Sequence, residues 1–327
     1  MIFVVPAPPR SKYFWIKILL ALIASFSFAI VLVEEKIWTW WQQQHTCANS
    51  TYLNQAPVFY RQDIQTESYS VCGQNLMLSY SGISKTPLWI AEYFSAQPQN
   101  LSPKIELPKL AVHHQAHLQT QQIEQYHYKN IQPLYAYNQS LDVVSKAPFQ
   151  SEQHWQQWNS IHHTLRDLSQ SDHQDIYVIT GTDYQAPNLS KIANQIWQPK
   201  GFYKAVYIPE TGVMGAYYVS NDAHQNNKIK SLSICALEEK LAMQLFPQLN
   251  SEQKRDVYQL PIEQRTEFNW QYAYWDSQSQ CDAAYLQAQA NQALEQHVFV
   301  ATPWLERMQT RLLSYLFAIL HWLVAQV

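Results

Sequence analysis

The stretch Asn75–Phe94, NLMLSYSGISKTPLWIAEYF, decides the architecture. Asn75–Tyr80 (NLMLSY) reads as a strand, Ser81-Gly82 as its turn, and Pro87–Phe94 (PLWIAEYF) as a second apolar element. On its C-terminal side, Ser95–Pro108 reads as loop, because Pro98, Pro103 and Pro108 break any period. Trp155, Trp158, Ile161, Leu165 and Leu168 recur at three- and four-residue spacings and predict a helix with one apolar face.

Further along, Asp175–Thr180 (DIYVIT) is a strand closed by Gly181, and Phe202–Ile208 and Val213–Val219 are two more, the latter ending at Ser220-Asn221-Asp222. Lys230–Ile234 leads into a helix over Ala236–Phe246, stopped by Pro247. Strand pairs and separate helices, with no βαβ repeat, predict an α+β domain around a mixed, largely antiparallel central sheet. No glycine-rich nucleotide-binding sequence argues otherwise.

Only 14% of the 327 residues are charged and the formal net charge is −3, so no long-range basic field exists. Any contact with nucleic acid has to come from a local cluster or a metal. Ile18–Val33 (ILLALIASFSFAIVLV), counted from Tyr13, is long enough to span a bilayer. Arg10, Lys12 and Lys17 precede it and Glu34 and Glu35 follow, which predicts an uncleaved anchor with the main domain exported.

The expected divisions are a cytoplasmic tail and anchor helix over 1–36, a stalk over 37–67, a domain over 68–300, and an apolar C-terminal helix over 301–327. Leu312–Val327 is expected to pack on the domain or lie at the membrane surface, since a second span leaves Arg307 and Arg311 on the exported side. Export exposes Cys47, Cys72, Cys235 and Cys281 to oxidation. Three pairings are open, of which Cys47–Cys72 with Cys235–Cys281 is the local one; four buried thiols are the alternative.

Roughly over 68–250, the chain resembles the DNA/RNA non-specific endonuclease family. The most specific part is Tyr80-Ser-Gly-Ile-Ser-Lys-Thr-Pro-Leu-Trp-Ile-Ala-Glu92, similar to the family's entry segment, with Cys72 where many bacterial members carry a cysteine. Tyr177–Gly181, Pro199-Lys-Gly-Phe-Tyr-Lys204 and Leu237-Glu238 with Phe246 resemble scaffold segments. The family's Asp-Arg-Gly-His sequence falls on His114-Gln115-Ala116-His117, so only the last histidine is kept. Asn130-Ile-Gln-Pro133 followed by Asn138 is similar to the segment that carries the metal-binding asparagine, and Trp155-Gln-Gln-Trp158-Asn159 to a later pattern in which an acid replaces the amide.

The resemblance implies a ββα-metal (His-Me finger) core and metal-dependent, sequence-non-specific hydrolysis of DNA or RNA. His117 is then the general base, since imidazole titrates near neutrality, and His114 or a main-chain carbonyl orients its other nitrogen. Asn138 gives an oxygen ligand to Mg²⁺, with Glu124 and Asn159 holding metal-bound waters. In a second register Ser151 takes the metal position.

The histidines His113, His114, His117 and His127 also suit Zn²⁺ or Mn²⁺. Lys129 and Arg166 are the candidates to replace the lost arginine. The other implied role is a catalytically degenerate relative that binds nucleic acid, an envelope component or a protein. The expected location is the bacterial inner membrane with the domain in the periplasm. A homodimer or a protein partner stays open.

Overall fold

Leu76–Ser81 and Thr86–Phe94 are antiparallel neighbours, as the opening stretch predicts, and one sheet extends from this pair in both directions. The computed structural model describes residues 50–61, 65, 68–73, 76–95, 127–131, 145–171, 173–185, 189–192, 196–222, 229–262 and 271–296. All lie in the unit Cys47–Val327; the unit Met1–Thr46 is outside the described residues.

The strands are β1 (Ser68–Gly73), β2 (Leu76–Ser81), β3 (Thr86–Phe94), β4 (Ile176–Asp183), β5 (Gly201–Ile208), β6 (Val213–Ser220) and β7 (Lys230–Leu232). They lie in the sheet in chain order, each antiparallel to the next. Chain order equals sheet order because each connection returns to the strand's open edge. The longest excursion, between β3 and β4, carries the motif-bearing stretch and helix α1 (Glu152–Ser171).

Both faces of the sheet are covered. Leu78, Ile90, Val178, Phe202 and Val206 pack against Trp158, Ile161, Leu165 and Leu168 of α1. On the opposite face, Trp89, Ile179, Tyr203 and Tyr207 pack against Ile234, Leu237 and Leu241 of α2 (Ile234–Leu241), with Phe246 and Phe59. Burial on two sides explains why β5 and β6 read as continuous apolar runs instead of alternating ones.

Three boundaries differ from expectation for identifiable reasons. Helix α1 starts at Glu152, ahead of Trp155, because Ser151 Oγ accepts the His154 backbone N–H at 3.2 Å and caps the first turn. Strand β4 runs through Gly181 to Asp183. There the glycine makes room for β5 instead of ending the strand, since a Cβ would collide with the Tyr203 ring and the Leu88 carbonyl.

Helix α2 stops at Leu241, with Ala242 left-handed at φ 48°, well before Phe246. The buried Glu238 carboxylate accepts the Leu245 and Phe246 N–H groups at 2.7 and 3.2 Å and pairs with Lys254 at 3.0 Å. Those contacts fold the chain back on the helix before Pro247 is reached.

Within the segment read as a stalk, residues 50–61 are packed. Val58–Phe59 pairs with Met243–Gln244, and Tyr52 meets the rings of Tyr177 and Tyr207 at 5.5 and 4.9 Å. Arg61 is fully buried and donates to Gln185 Oε1 at 2.9 Å.

Cys235 on α2 is bonded to Cys281, just before the helix Ala283–Gln296, with Cα atoms 5.1 Å apart, so this half of the local pairing is present. Cys47 lies outside the described residues, as do the apolar runs Ile18–Val33 and Leu312–Val327, and the side chain of Cys72 is not described either. Among the described residues no helix is long and apolar enough to cross a membrane.

Candidate functional site

Strand Tyr128–Asn130, paired with Lys146–Pro148, leads out of the stretch that contains His117, and α1 follows the second strand directly. Two indoles hold this arrangement: Trp155 Nε1 donates to the Asn130 carbonyl and Trp158 Nε1 to the Ile131 carbonyl, both at 3.0 Å. A buried indole N–H needs such an acceptor, and the backbone next to the motif supplies it. Trp158 and Ile161 are fully buried, so this stripe is core and no stacking platform for bases.

Asn159 follows on the flank of α1. Its Oδ1 is shut off from solvent and accepts no hydrogen bond. A buried acceptor left in that state costs about 1–3 kcal/mol. It needs a donor, and a metal-bound water is one, so the residue fits the role of holding such a water from outside the ligand shell. Of the predicted site residues, Asn159 is the one whose surroundings are visible. His113, His114, His117, Glu124 and Asn138 lie outside the described residues, as do Tyr126, Tyr135 and Tyr137.

The remaining candidates are engaged locally. Glu152 lies 3.1 Å from Lys129 Nζ and 3.6 Å from His127 Nδ1, at partly exposed positions where such pairs contribute little. Lys129 also stands 5.2 Å over the Trp155 ring, so an incoming phosphate has to compete with Glu152 for it. Arg166 is exposed on α1. Ser151, the residue of the second register, uses its hydroxyl in capping. Among the described residues no three His, Cys, Asp or Glu groups stand together as a metal site.

Behind α1 lies a charged cluster to which the sequence reading gives no chemistry, Glu92 ending the entry segment and Lys204 a scaffold segment. Glu92 of β3 is fully buried with both carboxylate oxygens unpartnered. Lys204 of β5, also fully buried, donates to Thr180 Oγ1 at 2.9 Å and sits 4.6 Å over the Trp158 ring. Burial raises the Glu92 carboxyl to about 8 despite the opposing charges of Lys204 and Arg166. Burial lowers the Lys204 ammonium to about 7, with Glu92 resisting. His162 on α1 is held well below the usual imidazole range by burial first and by Lys204 second. The one signal available in sequence was a lysine and a glutamate placed within strand-like apolar runs.

The model of the DNA/RNA non-specific endonuclease family matches residues 110–276, a span that holds His114, His117, Glu124, Asn138 and Asn159. No curated protein matches the chain. Among solved structures, it is similar to a chain in the crystal structure of the EndoG/EndoGI complex, which concerns the mechanism of EndoG inhibition. Identity is 16%, the match covers 55% of this chain and 86% of that one, and the TM-score is 0.37. A likeness that slight transfers nothing from that protein to this one.

Proposed function

Because this chain belongs to the DNA/RNA non-specific endonuclease family, matched over just over half of its length, we propose that it hydrolyses phosphodiester bonds of DNA or RNA without sequence preference, using a divalent metal. The observation that carries the reading is the unsatisfied Oδ1 of Asn159, buried on the helix whose indoles grip the backbone beside the motif.

In this reading His117 removes the proton from the attacking water, and His114 or a main-chain carbonyl holds the other imidazole nitrogen. Asn138 holds the metal by one oxygen, while Glu124 and Asn159 accept hydrogen bonds from its waters. A bound Mg²⁺, or Mn²⁺ or Zn²⁺ in its place, supplies Lewis-acid stabilisation of charge on the phosphate and the leaving oxygen. Lys129, released from Glu152, neutralises part of the charge that the family's arginine handles.

The surrounding organisation is part of the same proposal. It comprises a ββα-metal core around His117 and Asn138, an N-terminal anchor in the bacterial inner membrane, a stalk confined to residues before Ser50, and a periplasmic domain. A dimer or a protein partner also belongs to what remains to be tested. The second reading, a binding module without catalysis, is favoured by one fact, the Gln115-Ala116 pair beside His117 where the family has Arg-Gly.

Nicking of supercoiled DNA and cleavage of RNA by the full-length chain with Mg²⁺, Mn²⁺ or Zn²⁺ separates the two. Cleavage is expected to need metal and to fall by at least about 100-fold in His117→Ala, the usual range for loss of a general base. No cleavage by folded protein with any of the three metals leaves the binding module.

A further inference from the structure

Three chain segments far apart in sequence meet beside strand Tyr128–Asn130. Lys85 ends the β2–β3 turn, at φ 58°. The Trp197 backbone N–H donates to the Ser84 carbonyl at 3.2 Å, which seats the hairpin of Lys191–Ile192 and Ile196–Trp197 on that turn. Tyr128 Oη donates to the Lys85 carbonyl at 3.2 Å, which ties the turn to the strand that leaves the motif-bearing stretch.

Lys191 is exposed, with its Nζ 4.4 Å from the centroid of the Trp197 ring, and Lys85 is half-buried. No carboxylate among the described residues forms an ion pair with either ammonium. In a chain of net charge −3, two cations on adjoining segments with no ion-pair partner among the described residues are a local exception of the kind a polyanion requires.

We propose that Lys85 and Lys191, with Lys191 steered by the Trp197 ring, bind the phosphate backbone of nucleic acid as an extension of the catalytic site; this rests on the nuclease reading of that site. The Trp197–Ser84 and Tyr128–Lys85 hydrogen bonds fix the backbones that carry the two cations side by side. Burial and the Lys191 charge together lower the Lys85 ammonium below the usual lysine range. A phosphate between the two cations removes the repulsive part of that effect. Lysine contacts of this kind add affinity without reading sequence, which suits a non-specific nuclease.

The test is fluorescence anisotropy of a labelled 20-base-pair DNA duplex and a labelled RNA strand with the full-length chain in EDTA, where binding is read without cleavage. In Lys85→Gln/Lys191→Gln, binding is expected to weaken by about tenfold at low salt, and the slope of log affinity against log salt to flatten by about 1.8 for the duplex and about 1.4 for the RNA strand, near 0.9 and 0.7 per phosphate contact. The Lys85→Arg/Lys191→Arg chain restores both. If the double glutamine variant lowers the melting temperature, Lys191→Gln alone, at an exposed position, gives the reading, with about half the change in slope.

Wild-type affinity and slope in the glutamine variants overturn the proposal and leave the nuclease reading to the cleavage assay. Failure of the wild-type chain to bind either probe also overturns it. Binding that depends on the two lysines in a chain that never cleaves keeps the patch and removes the nuclease.

Discussion

Glu92 is fully buried and neither of its carboxylate oxygens has a hydrogen-bond partner, so its protonation is coupled to folding. Its folded carboxyl is raised to about 8 from 4.5. Its contribution to stability is therefore full below pH 4.5 and is lost as pH rises through 8. Lys204 is lowered to about 7 from 10.5, so its contribution is full above 10.5 and is lost as pH falls through 7. The two limbs meet between pH 7 and 8, where this pair leaves the fold weakest.

Glu92→Gln removes the acid limb, and thermal unfolding across pH 5 to 8 should then show a loss smaller than that of the wild type by on the order of 1–3 kcal/mol. That range is kept low because Coulombic attraction within the pair offsets part of the cost of burial. Superimposable profiles would show that Glu92 does not titrate between folded and unfolded states. None of this was legible in the sequence, where Glu92 closes a strand-like run and Lys204 belongs to a scaffold segment. Their opposition depends on β3 and β5 flanking β4 with both side chains on the α1 face.

Helix α1 was legible as an element because its apolar spacing of three and four residues is local. What it holds was less so, since the indole bonds to Asn130 and Ile131 join segments that have no shared period. The same helix separates function from stability at Asn159. Its Oδ1 stabilises nothing in the protein alone, so Asn159→Leu, which removes a buried unsatisfied acceptor, is expected to leave the unfolding free energy unchanged or raise it by up to about 1–3 kcal/mol. Metal-dependent cleavage in the same variant is expected to fall by about 10- to 100-fold, as for other groups that hold metal-bound water. Full activity in that variant would exclude Asn159 from the site, and a large loss of stability would mean that the amide has a structural role instead.

At the scale of the molecule, the sheet is packed on both faces and its second core depends on residues ahead of β1. Phe59 joins Trp89, Tyr207 and Phe246 in that core. Phe59→Ala is expected to lower the unfolding free energy of the whole domain by about 2–4 kcal/mol, as a cavity in a packed core does. A calorimetric scan reads this directly. A change within about 0.5 kcal/mol, typical of an exposed position, would put residues 50–61 outside the cooperative unit.

The sequence by itself determined five strands of the central sheet, the amphipathic helix, the largely antiparallel α+β class and the family, and it offered Cys235–Cys281 as one half of one of three open pairings. All of these depend on period, short separation or contiguous motifs, which survive in one dimension. Only the tertiary structure decided that Gly181 is a contact and no terminator, that Glu238 turns the chain back after Leu241, and that the hairpin carrying Lys191 seats on the turn carrying Lys85. In two of these cases the deciding group comes from a distant part of the chain, and in the third Glu238 is set in place by burial and by Lys254, sixteen residues on. Each effect is set by burial and by distance through space, which residue spacing does not encode.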